Sequence, residues 1–166
     1  EYGGSPFAQW LKNISQVHLS EFGTRVFYTG VNPGTFDTHA NQNVNLPKLW
    51  GDVTNAIADF YEDLKEHNAN EEVVMLLFTE FGRRVQENGS GTDHGSGGVA
   101  FVIGDAVKGG LYGEYPSLEP SKLDSGDLQW NNDFRSSYAT ILEDWMGLDA
   151  NPILGGTYEK FDFINK

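Results

Sequence analysis

Val73-Val74-Met75-Leu76-Leu77-Phe78-Thr79-Glu80 is the stretch on which the reading of the fold turns. Six apolar residues in a row show no alternation of period two, so both faces of the segment call for burial. Runs of this length and type suit a central strand of a parallel sheet covered by helices on both sides. Val99-Ala100-Phe101-Val102-Ile103-Gly104 reads the same way. Thr24-Arg25-Val26-Phe27-Tyr28-Thr29-Gly30-Val31 is a third β-rich segment, broken by Asn32-Pro33-Gly34.

Helical spacing fills the intervals. After Ser5-Pro6, a sound helix start, Phe7, Trp10, Leu11, Ile14 and Val17 recur on one face. Leu46 to His67 reads as a long helix whose face carries Leu49, Val53, Ile57, Phe60, Tyr61 and Leu64. Asp133 to Met146 is a third, with Phe134, Tyr138, Ile141, Leu142 and Trp145 on one side. The stretches 82–98 and 109–128 read as loops, and the tail from Asn151 as loop or short strand. This alternation predicts an α/β fold, a mainly parallel sheet flanked by helices, as one domain over residues 1–166.

Composition narrows the function classes. The 166 residues include 24 acids and 11 bases, a net charge of -13, which opposes binding to a phosphate backbone. No Lys/Arg cluster points to an anionic membrane, and no apolar run has spanning length. Nucleic acid and membrane are therefore not expected partners. There is no cysteine, which removes disulfides, zinc-thiolate sites and thiol nucleophiles from consideration.

In parallel α/β sheets ligands gather beyond the carboxyl ends of strands. Asp37, His39 and Glu80 each follow a predicted strand. Asp37 and His39 are two apart, so an extended segment turns both side chains to one side and offers a carboxylate and an imidazole to one ion. Asp93 and His94 are adjacent and point apart, so one serves as a ligand while the other supports it or closes a turn. Arg83 and Arg84 suit either an anionic group or an ion pair with Glu80. His18, His67 and the four tryptophans read as surface or packing residues. There is no Gly-x-Ser-x-Gly elbow and no Gly-Lys-Ser/Thr phosphate loop.

Four motifs in series carry a resemblance: Phe36-Asp37-Thr38-His39-Ala40-Asn41-Gln42, Thr79-Glu80-Phe81-Gly82-Arg83, Gly91-Thr92-Asp93-His94-Gly95 and Asp133-Phe134-Arg135-Ser136-Ser137-Tyr138-Ala139. In this order they resemble a large bacterial family of uncharacterised proteins, domain of unknown function 1501, related to alkaline phosphatases and sulfatases. The resemblance covers essentially the whole chain. It implies an α/β sandwich with two metal sites and a Ser, Thr or formylglycine nucleophile. It puts Asp37 and His39 on one metal, with His94 as the later ligand. Glu80 then holds or supports a second ion, and Arg83 contacts the anionic substrate. An alternative alignment places Asp93-His94 on the second site. Mixed nitrogen and oxygen ligands suit zinc or manganese.

Two departures follow from the same comparison. The first pair is Asp-x-His here, where the superfamily commonly has Asp-x-x-x-His. Nothing before Asp37 looks like the nucleophile-bearing strand and loop, and no twin-arginine export signal is present. The expectation is a C-terminal part of a longer exported, periplasmic protein that cleaves small anionic esters and is inactive alone. The rival expectation is a non-catalytic binding or structural protein on the same scaffold. A homodimer is the expected way to cover sheet surface left bare.

Overall fold

The computed structural model describes residues 1–165. By its internal contacts the chain divides into two compact units. One comprises Glu1–Glu72 with Glu87–Asp93, and the other Val73–Gln86 with the chain from His94 onward. No helix among the described residues is long and apolar enough to cross a membrane.

The first unit is built on two helices, α1 (Pro6–Leu19) and α2 (Gln42–Glu66). Ser5 caps α1, its side-chain oxygen accepting from the Ala8 N–H at 3.2 Å, and Pro6 occupies the first turn, where its missing N–H costs nothing. Ala8 and Leu11 of α1 are buried, as are Val53, Ala56, Ile57, Phe60, Tyr61 and Leu64 of α2. The helices pack on each other along these stripes. Helix α2 starts at Gln42, four residues before the expected Leu46. A tertiary contact sets that start: the Gln42 N–H donates to the Ser90 carbonyl at 2.8 Å and the Asn41 N–H to the Ser90 hydroxyl at 3.2 Å. Propensity alone does not reveal such a start.

The second unit carries β1 (Met75–Leu77) and β4 (Phe101–Ile103), which pair antiparallel with Met75 opposite Ile103 and Leu77 opposite Phe101. Between them in sequence lies the hairpin of β2 (Gly82–Glu87) and β3 (Thr92–Gly95). Its tip, Glu87–Asp93, belongs to the first unit. Helix α3 (Phe134–Thr140) runs on through a wider π-type turn, Ile141–Trp145, and α4 (Asn151–Leu154) is a single turn. Asp133 caps α3: its Oδ1 accepts from the Arg135 N–H at 2.9 Å, and the Arg135 guanidinium returns to both carboxylate oxygens. Those bonds hold the Asp133 carboxyl below its ordinary range. Thr140 is fully buried because its hydroxyl is satisfied, donating to the Ser136 carbonyl at 2.8 Å and accepting from the Phe161 N–H at 2.9 Å.

The expected mainly parallel sheet flanked by helices is not the fold. Among the described residues there are two small two-stranded sheets, β1 with β4 and β2 with β3. A parallel pair needs a crossover that carries the chain back across the sheet. Here the connection from β1 to β4 is occupied by a hairpin, and the two apolar runs return against each other antiparallel. Each run contributes only three paired residues, and β1 is half-buried. Phe78 and Phe101 are exposed. The segment 24–31 is not a strand in any sheet, and its Val26 and Tyr28 are exposed. The expected loop 82–98 is instead largely the β2–β3 hairpin. β-Propensity reports a fit to a half-buried pleated surface rather than a backbone preference, so without a partner strand it decides nothing.

Candidate functional site

The first unit brings Asp37, His39 and Asp93 together. Residues 36–39 fold through successive tight turns, the Thr38 N–H donating to the Phe36 carbonyl at 2.9 Å and the His39 N–H to the Asp37 carbonyl at 3.1 Å. Thr38 is only 6% exposed, whereas Asp37 and His39 emerge together on the outer side, with His39 Nε2 at 3.0 Å from Asp37 Oδ1. A strand does not hold this loop in place, contrary to the sequence expectation. It rests on the start of α2 and on the hairpin tip.

Asp93 arrives from that tip. Asn88 closes the turn, its Oδ1 accepting from the Gly91 N–H at 3.2 Å and its N–H donating to the Gly91 carbonyl at 3.0 Å. The Asn88 amide Nδ2 also donates to Asp93 Oδ1 at 2.9 Å. Gly91 is buried against the backbone of Thr38 and His39, and a Cβ at this position would run into both carbonyl oxygens. Only glycine permits that approach. The result is a 3.2 Å contact between His39 Nδ1 and Asp93 Oδ1.

These contacts dictate what the imidazole can be. An ionised carboxylate has no proton to give, so a hydrogen bond to Asp93 puts the hydrogen on Nδ1, as one to Asp37 would put it on Nε2. Nε2 then faces the Asp37 carboxylate at 3.0 Å. A bare lone pair there would face the carboxylate, an arrangement that a cation held between them relieves. A metal fits: ligands at about 2.0–2.2 Å from an ion stand roughly 3 Å apart at octahedral angles and roughly 3.4 Å apart at tetrahedral ones. An imidazole whose other nitrogen donates to a carboxylate is the usual support for such a ligand. The site is open to solvent, with the Asp37, His39 and Asp93 side chains 32%, 46% and 59% exposed.

The other expected residues belong to the second unit. Glu80 is exposed just beyond β1. The strand ahead of it is half-buried and antiparallel, so the argument from the carboxyl end of a buried parallel strand does not hold. His94 stacks on the Phe81 ring, centroids 3.8 Å apart, and the Arg83 guanidinium lies 5.2 Å from the same ring. Arg84 pairs with Asp127 at 3.3 Å rather than with Glu80. His18 and His67 are held within the first unit, His18 by Glu72 at 3.0 Å and His67 by the Asp63 carbonyl at 2.8 Å.

Sequence reasoning assigned no role to Gln42, Asn88 or Gly91. The Asn88-Gly89 pair was the available signal, being a strong mark of a hairpin turn. Nothing local marks Gln42, whose partners lie in two other segments, the 36–39 loop and the hairpin tip.

No curated protein matches the chain, and no solved structure does. The model of the family described as "Protein of unknown function (DUF1501)" matches residues 12–155, a span that contains the Asp37–His39 loop, the hairpin and α3. With most of its length inside that match, the chain belongs to the DUF1501 family.

Proposed function

We propose that Asp37 and His39 hold a divalent metal ion, zinc or manganese, as the metal-binding portion of a hydrolase of phosphate or sulfate esters. The observation that carries the metal is the imidazole of His39 set between two carboxylates, with Nδ1 committed to Asp93 and Nε2 facing Asp37. One nitrogen and one hard oxygen favour zinc or manganese over calcium. When bound, such an ion supplies Lewis-acid charge at an ester oxygen and lowers the pKa of a coordinated water. The chain's own part is to fix His39 in one tautomer, to neutralise the cation through Asp37, and to leave the outer side open to an anionic ester.

The ester chemistry rests on the four motifs and their resemblance to alkaline phosphatases and sulfatases. The same resemblance supports His94 as a further ligand, Glu80 at a second ion and Arg83 on the substrate anion. One feature favours the second reading, a binding site without catalysis. The two hydroxyls flanking the site, Thr38 and Thr92, both accept hydrogens from the Gln42 amide, at 2.9 and 3.1 Å. The Thr92 hydroxyl in turn faces the Gln42 amide oxygen at 3.4 Å, and an amide oxygen is too weak a base to activate a nucleophile.

The test is elemental analysis after loading with zinc or manganese, with Asp37→Asn, His39→Ala and His94→Ala beside the wild type, followed by turnover of an aryl phosphate and an aryl sulfate. About one ion per chain, lost in the first two variants, is the expected result. Loss in His94→Ala as well brings that imidazole into the ligand set. Metal-dependent turnover selects the hydrolase reading, and binding without turnover selects the second. Undiminished metal in His39→Ala removes both.

A further inference from the structure

We infer that Gln42 is the positioning residue of this site, a single side-chain amide that sets the orientation of Asp37, His39 and Asp93 together without touching any of them. The inference rests on the proposed metal site and extends it to a residue that binds no metal. Gln42 lies in the first turn of α2. Its Nε2 donates to Thr38 Oγ1 at 2.9 Å and to Thr92 Oγ1 at 3.1 Å, and the Thr92 hydroxyl lies 3.4 Å from its Oε1. Its own N–H donates to the Ser90 carbonyl at 2.8 Å.

The sequence positions of the two threonines give these bonds their meaning. Thr38 is the residue between Asp37 and His39, and Thr92 is the residue before Asp93. Neighbouring side chains in extended or tightly turned backbone point to opposite sides. Drawing Thr38 inward therefore turns Asp37 and His39 outward, and drawing Thr92 inward turns Asp93 outward toward His39. Both threonines are drawn to the same nitrogen, so the loop and the hairpin cannot rotate independently. A weaker backbone contact joins the same pair, the Thr92 N–H to the Thr38 carbonyl at 3.5 Å. Thr38 is nearly inaccessible to water, so loss of the Gln42 amide leaves a buried hydroxyl short of a partner. The loop would then re-form around some other partner for Thr38, and the 3.0 and 3.2 Å spacings around the imidazole would go with it.

A residue that merely stabilised the fold would alter thermal unfolding and leave the state of His39 unchanged. The experiment therefore reads two quantities on the intact chain, in the wild type, Gln42→Leu, Thr38→Val and Thr38→Ser. The first is the 15N chemical shifts of the His39 ring in metal-free protein, which report whether Nδ1 keeps its hydrogen. The second is the affinity for Zn2+ alone by calorimetry. Gln42→Leu and Thr38→Val are expected to lose the Nδ1–H signature and to bind zinc about 10–100-fold more weakly. Thr38→Ser, which keeps the hydroxyl, is expected to retain both properties. A Gln42→Leu protein that is folded and keeps the Nδ1–H signature overturns the inference. Failure of the wild type to bind zinc overturns the proposed metal site instead, and the ring shifts still decide the role of Gln42.

Discussion

His39 Nδ1 and Asp93 Oδ1, 54 positions apart in sequence, meet at 3.2 Å, and the Asn88 amide holds the same oxygen at 2.9 Å. On the proposed site Asp93 supports the imidazole, while Asp37 is the carboxylate ligand. Asp93→Ala removes the acceptor while leaving both proposed ligands in place. Zinc affinity should fall about 10–100-fold, less than the complete loss expected from His39→Ala. Calorimetric titration measures both, and equal affinity in Asp93→Ala and the wild type would contradict the assigned support.

Gly91 tests how the two segments are brought together. Its Cα hydrogen faces the Thr38 and His39 backbone, so Gly91→Ala must push the hairpin tip away from the loop. Overpacking of this kind costs about 1–3 kcal/mol. Gly89, two residues earlier, has φ of 114° and open space where its Cβ would lie. Gly89→Ala therefore carries a backbone cost alone, on the order of 1 kcal/mol. Urea unfolding with zinc titration separates the two. Gly91→Ala should weaken metal binding as well as stability, and Gly89→Ala stability alone.

Leu64 of α2 is fully buried in the core of the first unit. Leu64→Ala should destabilise by about 2–5 kcal/mol, the lost transfer energy plus the cavity left behind. A shift of the urea midpoint corresponding to less than 1 kcal/mol would show that the site collapses around the smaller side chain.

Much of this first unit was legible. Ser5-Pro6 and the stripe from Phe7 to Val17 mark α1 correctly, and Val53, Ile57, Phe60, Tyr61 and Leu64 are buried as their spacing requires. Periodicity works there because each helix meets its own hydrogen bonds and needs only one partner face. The runs 73–78 and 99–104 do contain β1 and β4, but their pairing was not legible, for the opposite reason. A strand exists only where another strand completes its ladder, and the run 73–78 says nothing about whether its partner is parallel or antiparallel. Asp37 and His39 could be singled out because two side chains in one loop share a fate. Asp93 and Asn88 come from another segment, brought in by the packing of Gly91 against the loop and by the Gln42 bonds to both segments.

Acid stability carries a signature of the first unit. Asp63 accepts hydrogen bonds from the Tyr2 and Ser15 hydroxyls. Burial pushes its carboxyl up, but the Ser15 and Tyr2 hydroxyls outweigh it and hold the group below its ordinary value of 3.8. A folded pKa below the unfolded one means that the stabilisation is complete above the unfolded value and is lost as pH falls through the folded one. Stability should therefore drop below about pH 4, the ordinary carboxylate range, and Asp63→Asn should flatten that acid limb. Parallel acid limbs in the two proteins, followed by urea unfolding at a series of pH values, would remove Asp63 as the cause.

The most direct measurement is the 15N spectrum of the His39 ring during addition of zinc to the wild-type protein. The arrangement of the two carboxylates predicts that Nε2 moves to a metal-bound shift with about one equivalent, while Nδ1 keeps the hydrogen it donates to Asp93. Unchanged ring shifts through several equivalents, or metal on Nδ1 with the Asp93 bond broken, would contradict the account.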